Sequence, residues 1–172
     1  MADERERALD DVGLGRVGRA EREVALGRVG RAEREVALGR AVRLLARRDH
    51  STASLRAKLE RAGASEQEQS EAVEALAGAG YLDDARFARG RAEQLAGRGY
   101  GDEWIRADLD AQGVPAELAE PAVEALVPER ERALREAAAL GGGLRAARTL
   151  QRRGFSEDAL EGVVRRTVAD DP

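Results

Sequence analysis

The sequence contains no cysteine, so neither a disulfide framework nor a thiolate metal site is available to it. Aromatic residues amount to only 3% of the 172 residues, which leaves leucine, valine and alanine to build any core. Runs of β-branched residues alternating with polar ones are missing, and with them the pattern of a half-buried sheet. No window approaches the roughly 20 consecutive apolar residues that span a bilayer, so no membrane contact is expected. The N-terminus, MADERERALDD, is charged throughout and lacks the apolar segment of a secretory signal, which makes a cytoplasmic location the expectation. A basic excess is also missing. Lys and Arg total 29 against 33 Asp and Glu, a net charge of −4, so bulk charge supplies no argument for nucleic acid.

What is present is a helix-friendly balance of 42% apolar and 36% charged residues. It is organised as a repeat. Leu55, Arg56, Leu59, Gly63, Val73, Glu74, Ala75 and Leu76 recur 50 residues later as Ile105, Arg106, Leu109, Gly113, Val123, Glu124, Ala125 and Leu126. A weaker third echo puts Leu150, Gly154 and Val164 where Leu109, Gly113 and Val123 stood. Self-similarity at this period marks units that stack because one alone cannot bury its apolar face. The expected fold is all-α: three tandem three-helix repeats over 41–79, 80–126 and 127–168, forming an elongated curved bundle behind a flexible tail at 1–39.

The tail is assigned from a duplication. Residues 15–26, GRVGRAEREVAL, recur identically at 27–38. Twelve residues at about 100° each overshoot three turns by about 120°, so the two copies do not present one face on a straight helix. Glycines at 15, 18, 27, 30 and 39 weaken it further, by about 1 kcal/mol each relative to alanine. This segment is therefore expected outside the core, disordered or as a frayed helix. The first ordered element is expected at 41–48, with Val42, Leu44 and Leu45 inward. Ser51 or Thr52 suits the N-cap of the next helix, and Ser65 with Glu68 has the spacing of a capping box. Asp83 or Asp84 caps the first helix of the second unit, Pro115 and Pro128 open later ones, and Gly141–Gly143 read as a helix stop.

Catalytic chemistry finds little support. His50 lies in a turn among charged and polar residues and reads as a capping or surface residue, since no orienting partner is apparent. Asp83 and Asp84 are adjacent, so they point in different directions and do not make an acid–base pair. No glycine-rich loop has the spacing of a nucleotide cradle. The chain is expected to be no enzyme, with no catalytic residue, metal or cofactor. Leu82, Phe87, Trp104 and Phe155 read as packing residues. The arginines are the candidates for binding: Arg86 and Arg89 share a helix face, and matching positions of stacked units line one extended surface.

LLARRDHS at 44–51, LRAKLERAG at 55–63, GYLDDARFA at 80–88, RGYG at 98–101, IRADL at 105–109 and RRGF at 152–155 occur in an order and spacing that resemble the RecX family of recombinase regulators. The resemblance covers about residues 41–167. It implies tandem three-helix repeats and a partner, the RecA recombinase filament, whose groove the protein occupies to restrain ATP hydrolysis and strand exchange in homologous recombination and the SOS response. The expected contact residues, against an acidic recombinase surface or DNA phosphate in the filament, are Arg47, Arg48, Arg56, Lys58, Arg86, Arg89, Arg98, Arg106, Arg152 and Arg153. A monomer is expected. A helical-repeat adaptor for another protein and a direct DNA-binding protein are the competing classes.

Overall fold

The computed structural model describes residues 14–169, with side chains from residue 30 to residue 165. These residues form helices and no strand: α1 Leu14–Leu45, α2 Thr52–Arg61, α3 Glu66–Gly78, α4 Asp84–Gly97, α5 Asp102–Ala111, α6 Ala116–Glu124, α7 Glu129–Ala139, α8 Gly143–Arg152 and α9 Glu157–Ala169. The local signals act as expected. Ser51 accepts the Ser54 N–H at 3.0 Å to start α2, Ser65 and Glu68 close a reciprocal capping box on α3, and Asp83 accepts the Arg86 N–H at 2.9 Å to start α4. Each satisfies a donor that the first helical turn leaves without an intrahelical partner.

The helices pack in threes, α1–α3, α4–α6 and α7–α9, around three separate apolar clusters. The residues carrying the 50-residue offset are the centres of the first two: Leu55, Leu59, Ile105 and Leu109 have no exposed surface, with Val73 and Val123 buried beside them, and Leu150, 41 residues after Leu109, is the fully buried counterpart in the third. Burying one such side chain stabilises its unit by about 1.5–3 kcal/mol. A second set of core residues is alanine. Ala37 and Ala41 on α1, Ala88 and Ala92 on α4, and Ala133 and Ala137 on α7 are buried at i,i+4 spacing, and their small side chains let the first helix of each group approach the other two closely.

These alanines revise the expected start of the packed chain. Rather than a first element over 41–48, α1 runs from Leu14 and ends at Leu45, and Ala37, inside the segment assigned to the tail, is already buried. Val42, expected inward, is 49% exposed, because Ala37, Ala41 and the half-buried Leu44 define the inner face instead. Arg34, in the second copy of the duplication, pairs with Glu71 at 3.4 Å. Residues 1–13 of the expected tail lie outside the described residues.

Successive groups meet through polar joints built on one plan. The Thr52 N–H at the start of α2 donates to Asp84 Oδ1 at 2.7 Å, and Ser51 Oγ donates to the Gln112 carbonyl at 2.5 Å. Fifty residues on, the Asp102 N–H at the start of α5 donates to Glu129 Oε1 at 2.7 Å, and the Gly101 N–H donates to the Arg153 carbonyl at 2.8 Å. The second helix of each group is thus capped by a carboxylate from the first helix of the next group, and it abuts the end of that group's second helix. Contact is close enough to require glycine. A Cβ on Gly113 would lie 2.5 Å from Ala53 Cβ, and one on Gly154 would lie 2.6 Å from Trp104 Cβ; both residues have positive φ. A Cβ on Gly101 would lie 2.1 Å from the Gly154 carbonyl oxygen.

Gly101 and Gly90 therefore respond oppositely to alanine. Gly101 has an ordinary φ of −83°, so Gly101→Ala destabilises through the collision alone, by about 1–3 kcal/mol in urea unfolding. Gly90, within α4 with no neighbour near its would-be Cβ, gains about 0.5–1 kcal/mol from Gly90→Ala. Equal responses at the two sites would contradict the close joint.

Candidate partner-binding surface

The ten basic residues singled out from sequence separate into those the fold engages and those it leaves available. Arg106 pairs with Glu120 at 3.0 Å across α5 and α6. Arg153 stands 3.7 Å from Glu136 within the second joint. Arg86 donates to the Gly80 and Tyr81 carbonyls at 3.3–3.4 Å, folding back over its own turn. Arg47, Arg48, Arg56, Arg89, Arg98 and Arg152 are exposed and Lys58 is half-buried, and none of these pairs with a carboxylate among the described residues. Arg56 stays free where its repeat counterpart Arg106 does not, because Ser70 stands at the position equivalent to Glu120. A solvent-exposed pair such as Arg106–Glu120 is worth about 0–1 kcal/mol, yet it lowers the net charge a partner meets there.

Three of the available cations, Arg48, Lys58 and Arg98, stand near the joints. Arg48 in the turn after α1 and Lys58 on α2 both act electrostatically on His50, which places them around the first joint. Arg98, 50 residues after Arg48, sits at the second joint with its guanidinium 5.7 Å from the Tyr100 ring centroid. Tyr100 stacks on Trp104 with centroids 4.2 Å apart, and Trp104 keeps 37% of its surface exposed. Trp104 was expected purely as a packing residue and is only partly one. Leu82 and Phe155 are buried as expected, and Phe87 is half-buried against the middle cluster.

Two residues depart from what the linear sequence suggests. His50, expected at a cap or the surface, is 5% exposed and lines a cavity that α4 residues also line. Burial holds its imidazole below the ordinary histidine range; Lys58 and then Arg48 push the same way, and Asp49 partly opposes them. Arg132 drew no attention in sequence and is 7% exposed. It donates to the Val127 and Tyr100 carbonyls at 2.9 Å and to the Asp102 carboxylate, tying α7 into the second joint. Burial raises the Asp102 pKa and nearby Glu129 adds to this, while Arg132 and Arg106 hold it down. Arg91 makes a bidentate pair with Asp108 at 2.8 Å and also meets Gln94. The signal that could have found Arg132 is its place 45 residues after Phe87, next to the alanine pair that repeats at the same offset.

Among the described residues no group of three or more His, Asp or Glu is arranged to hold a metal, and no helix is long and apolar enough to cross a membrane. What the surface offers is guanidinium forks matched to carboxylate or phosphate oxygens. Three stacked three-helix units define a helical-repeat protein with exposed cations at its joints.

Comparison with known proteins makes this class particular. The pattern of the first three-helix domain of RecX matches residues 37–76, starting at the buried Ala37 of α1, and that of the second three-helix domain matches residues 83–123. Regulatory protein RecX of Thermus thermophilus is 45% identical over 116 residues, covering 67% of this chain and 80% of that protein. Regulatory protein RecX of Chromohalobacter salexigens is 40% identical over 99 residues, covering 58% and 65%. The counterpart in Xanthomonas campestris pv. campestris is 36% identical over 131 residues, covering 76% and 73%. This chain belongs to the RecX family of regulatory proteins. Its fold also matches the crystal structure of a regulatory protein RecX, with a TM-score of 0.66 at 20% identity over 76% of this chain and 72% of that one. RecX from Lactobacillus salivarius matches with a TM-score of 0.67 at 17% identity, covering 78% and 96%.

The buried histidine predicts a pH response. A folded-state pKa below the unfolded value near 6.5 means that the unfolded chain binds more protons as pH falls through that value, so stability drops on acidification. The urea midpoint is expected to fall between pH 7.5 and pH 5.5, and His50→Gln is expected to flatten that slope. An unchanged slope in the variant would place the titrating group elsewhere.

Proposed function

We propose that the protein binds the filament of a RecA recombinase, occupies its groove, and restrains ATP hydrolysis and strand exchange, so regulating homologous recombination and DNA repair. Membership of a family of regulatory proteins supports this reading. The observation that carries it is the recurrence of exposed, unpaired arginines at repeat-equivalent places, Arg48 at the first joint and Arg98 at the second. A row of stacked units with equivalent cations suits a partner that is itself periodic, because matching positions can meet successive subunits. The protein acts here by steric occupation and charge, as a cytoplasmic monomer without catalytic residues or a cofactor. Arg47, Arg56, Lys58, Arg89 and Arg152 extend the contact surface. Arg86, Arg106 and Arg153 serve it less directly, being engaged within the fold.

Titration into single-stranded-DNA-dependent ATP hydrolysis by the cognate recombinase is expected to inhibit well below one protein per recombinase subunit. Arg48→Glu with Arg98→Glu is expected to raise the amount needed at least tenfold with an unchanged circular dichroism spectrum. No inhibition by the folded protein would return the function to an adaptor for another partner.

A direct nucleic-acid contact is the second reading, favoured by the stacked Tyr100–Trp104 pair beside Arg98, since a base can stack on an exposed indole while arginine meets phosphate. Its signature is binding of labelled single-stranded DNA with no recombinase present, falling steeply with salt and weakened by Trp104→Ala. Binding insensitive to both would remove this reading.

A further inference from the structure

The two joints share a plan but not a filling. In the second, the Arg132 guanidinium from α7 is buried between the groups and occupied by two carbonyls and the Asp102 carboxylate. The equivalent position in the first joint, 45 residues earlier, is Phe87, which packs against the middle cluster and brings no polar group. A cavity of about 470 Å³ remains there, and its lining includes Arg48, Asp49, His50, Phe87, Arg91 and Gln112. The second joint places Tyr100 where this one has His50.

The groups facing this cavity suit an anion. His50, only 5% exposed, lines the cavity and makes no side-chain hydrogen bond to a described residue. Arg48 lies at the mouth without a carboxylate partner, and Lys58 adds positive potential from α2. Arg91 in the lining is already matched by Asp108 and Gln94, and Asp49 is the one carboxylate in the lining, its charge outweighed at His50 by Lys58 and Arg48. A cluster of cations around a buried imidazole with free nitrogens is unfavourable for a second positive charge and favourable for a negative one.

We propose that this cavity is an oxyanion site that receives a side-chain carboxylate from an acidic segment of a protein partner, held between Arg48 and His50. A recess walled by Phe87 and Gln112 fits a side chain that ends in its charge. A phosphodiester carries sugar on both sides of its charge and needs an open stripe of cations instead. Before binding, burial and then Lys58 and Arg48 disfavour protonation of His50. The arriving carboxylate reverses the local potential, and His50 takes up one proton from solvent to donate a charge-assisted hydrogen bond. Binding therefore strengthens as pH falls while the ligand stays ionised. The site rests on no assumption that the partner is a recombinase, and its test contains none.

Because His50 is the one histidine in the chain, its ring-proton NMR signals in protein prepared without a histidine tag report this site alone. The probe is a capped tetraglutamate peptide, titrated from pH 5.5 to 8.0, with sodium chloride of matched ionic strength and inorganic phosphate as separate arms. The expected result is a His50 pKa raised by about one unit at saturating peptide, with peptide binding about tenfold tighter at the acid end of the range. Arg48→Ala removes most of the binding. His50→Gln keeps the circular dichroism spectrum and loses the pH dependence. The proposal is overturned by an unmoved His50 pKa, by an equal shift in sodium chloride alone, or by wild-type peptide affinity in Arg48→Ala. It is equally overturned if phosphate shifts His50 and the peptide does not. A responsive His50 in a protein that leaves the recombinase uninhibited would keep this site and remove the functional reading above.

Discussion

The structure depends on how the start of each unit's second helix is satisfied. An α-helix begins with N–H groups that have no intrahelical partner and with the positive end of its dipole, and here that end is turned into the neighbouring unit. The neighbour answers with a carboxylate: Asp84 on the Thr52 N–H and Glu129 on the Asp102 N–H. Glu129 also accepts from Ser156 Oγ at 2.5 Å, so one side chain ties three elements together. For a carboxylate to reach that position the backbones must come close, and this is why Gly113 and Gly154 have no room for a Cβ.

This constraint sets the division of labour in the fold. Apolar burial is concentrated inside each unit, where leucines carrying the repeat offset meet alanine pairs on the first helix. The units are joined by hydrogen bonds and a few charged groups. Since polar joints need satisfied partners, they concentrate Asp, Glu, Arg and Ser at the boundaries, and the cations left over after that matching stay exposed. The buried Arg132 and the exposed Arg48 and Arg98 are two outcomes of the same arrangement. Arg132 is consumed by carbonyls and a carboxylate, and the others extend past the joint into solvent.

The all-α class, the three-part repeat, the capping residues and the central leucines were legible in the sequence. They rest on local spacing and chemistry: a Ser–x–x–Glu box closes on itself, and a leucine that recurs at a fixed offset beside a glycine stop marks the same buried position in each repeat. The start of the packed chain was less legible. Its marker is Ala37 with Ala41, and alanine suits a buried face and an exposed one equally well in sequence, whereas the conspicuous Val42 points outward.

Sequence alone determined the helices, their repeat and the pool of cations, because each follows from contacts within a few turns or from a periodicity that survives in one dimension. Only the tertiary structure decided which cations remain free and where polar groups are buried. Arg106 meets Glu120 across a turn while Arg56 meets no carboxylate among the described residues, and His50 is buried at the joint between the first two units. The physical reason is that an ion pair or a buried imidazole is fixed by distances of a few ångströms between elements, and the packing of one unit on the next sets those distances.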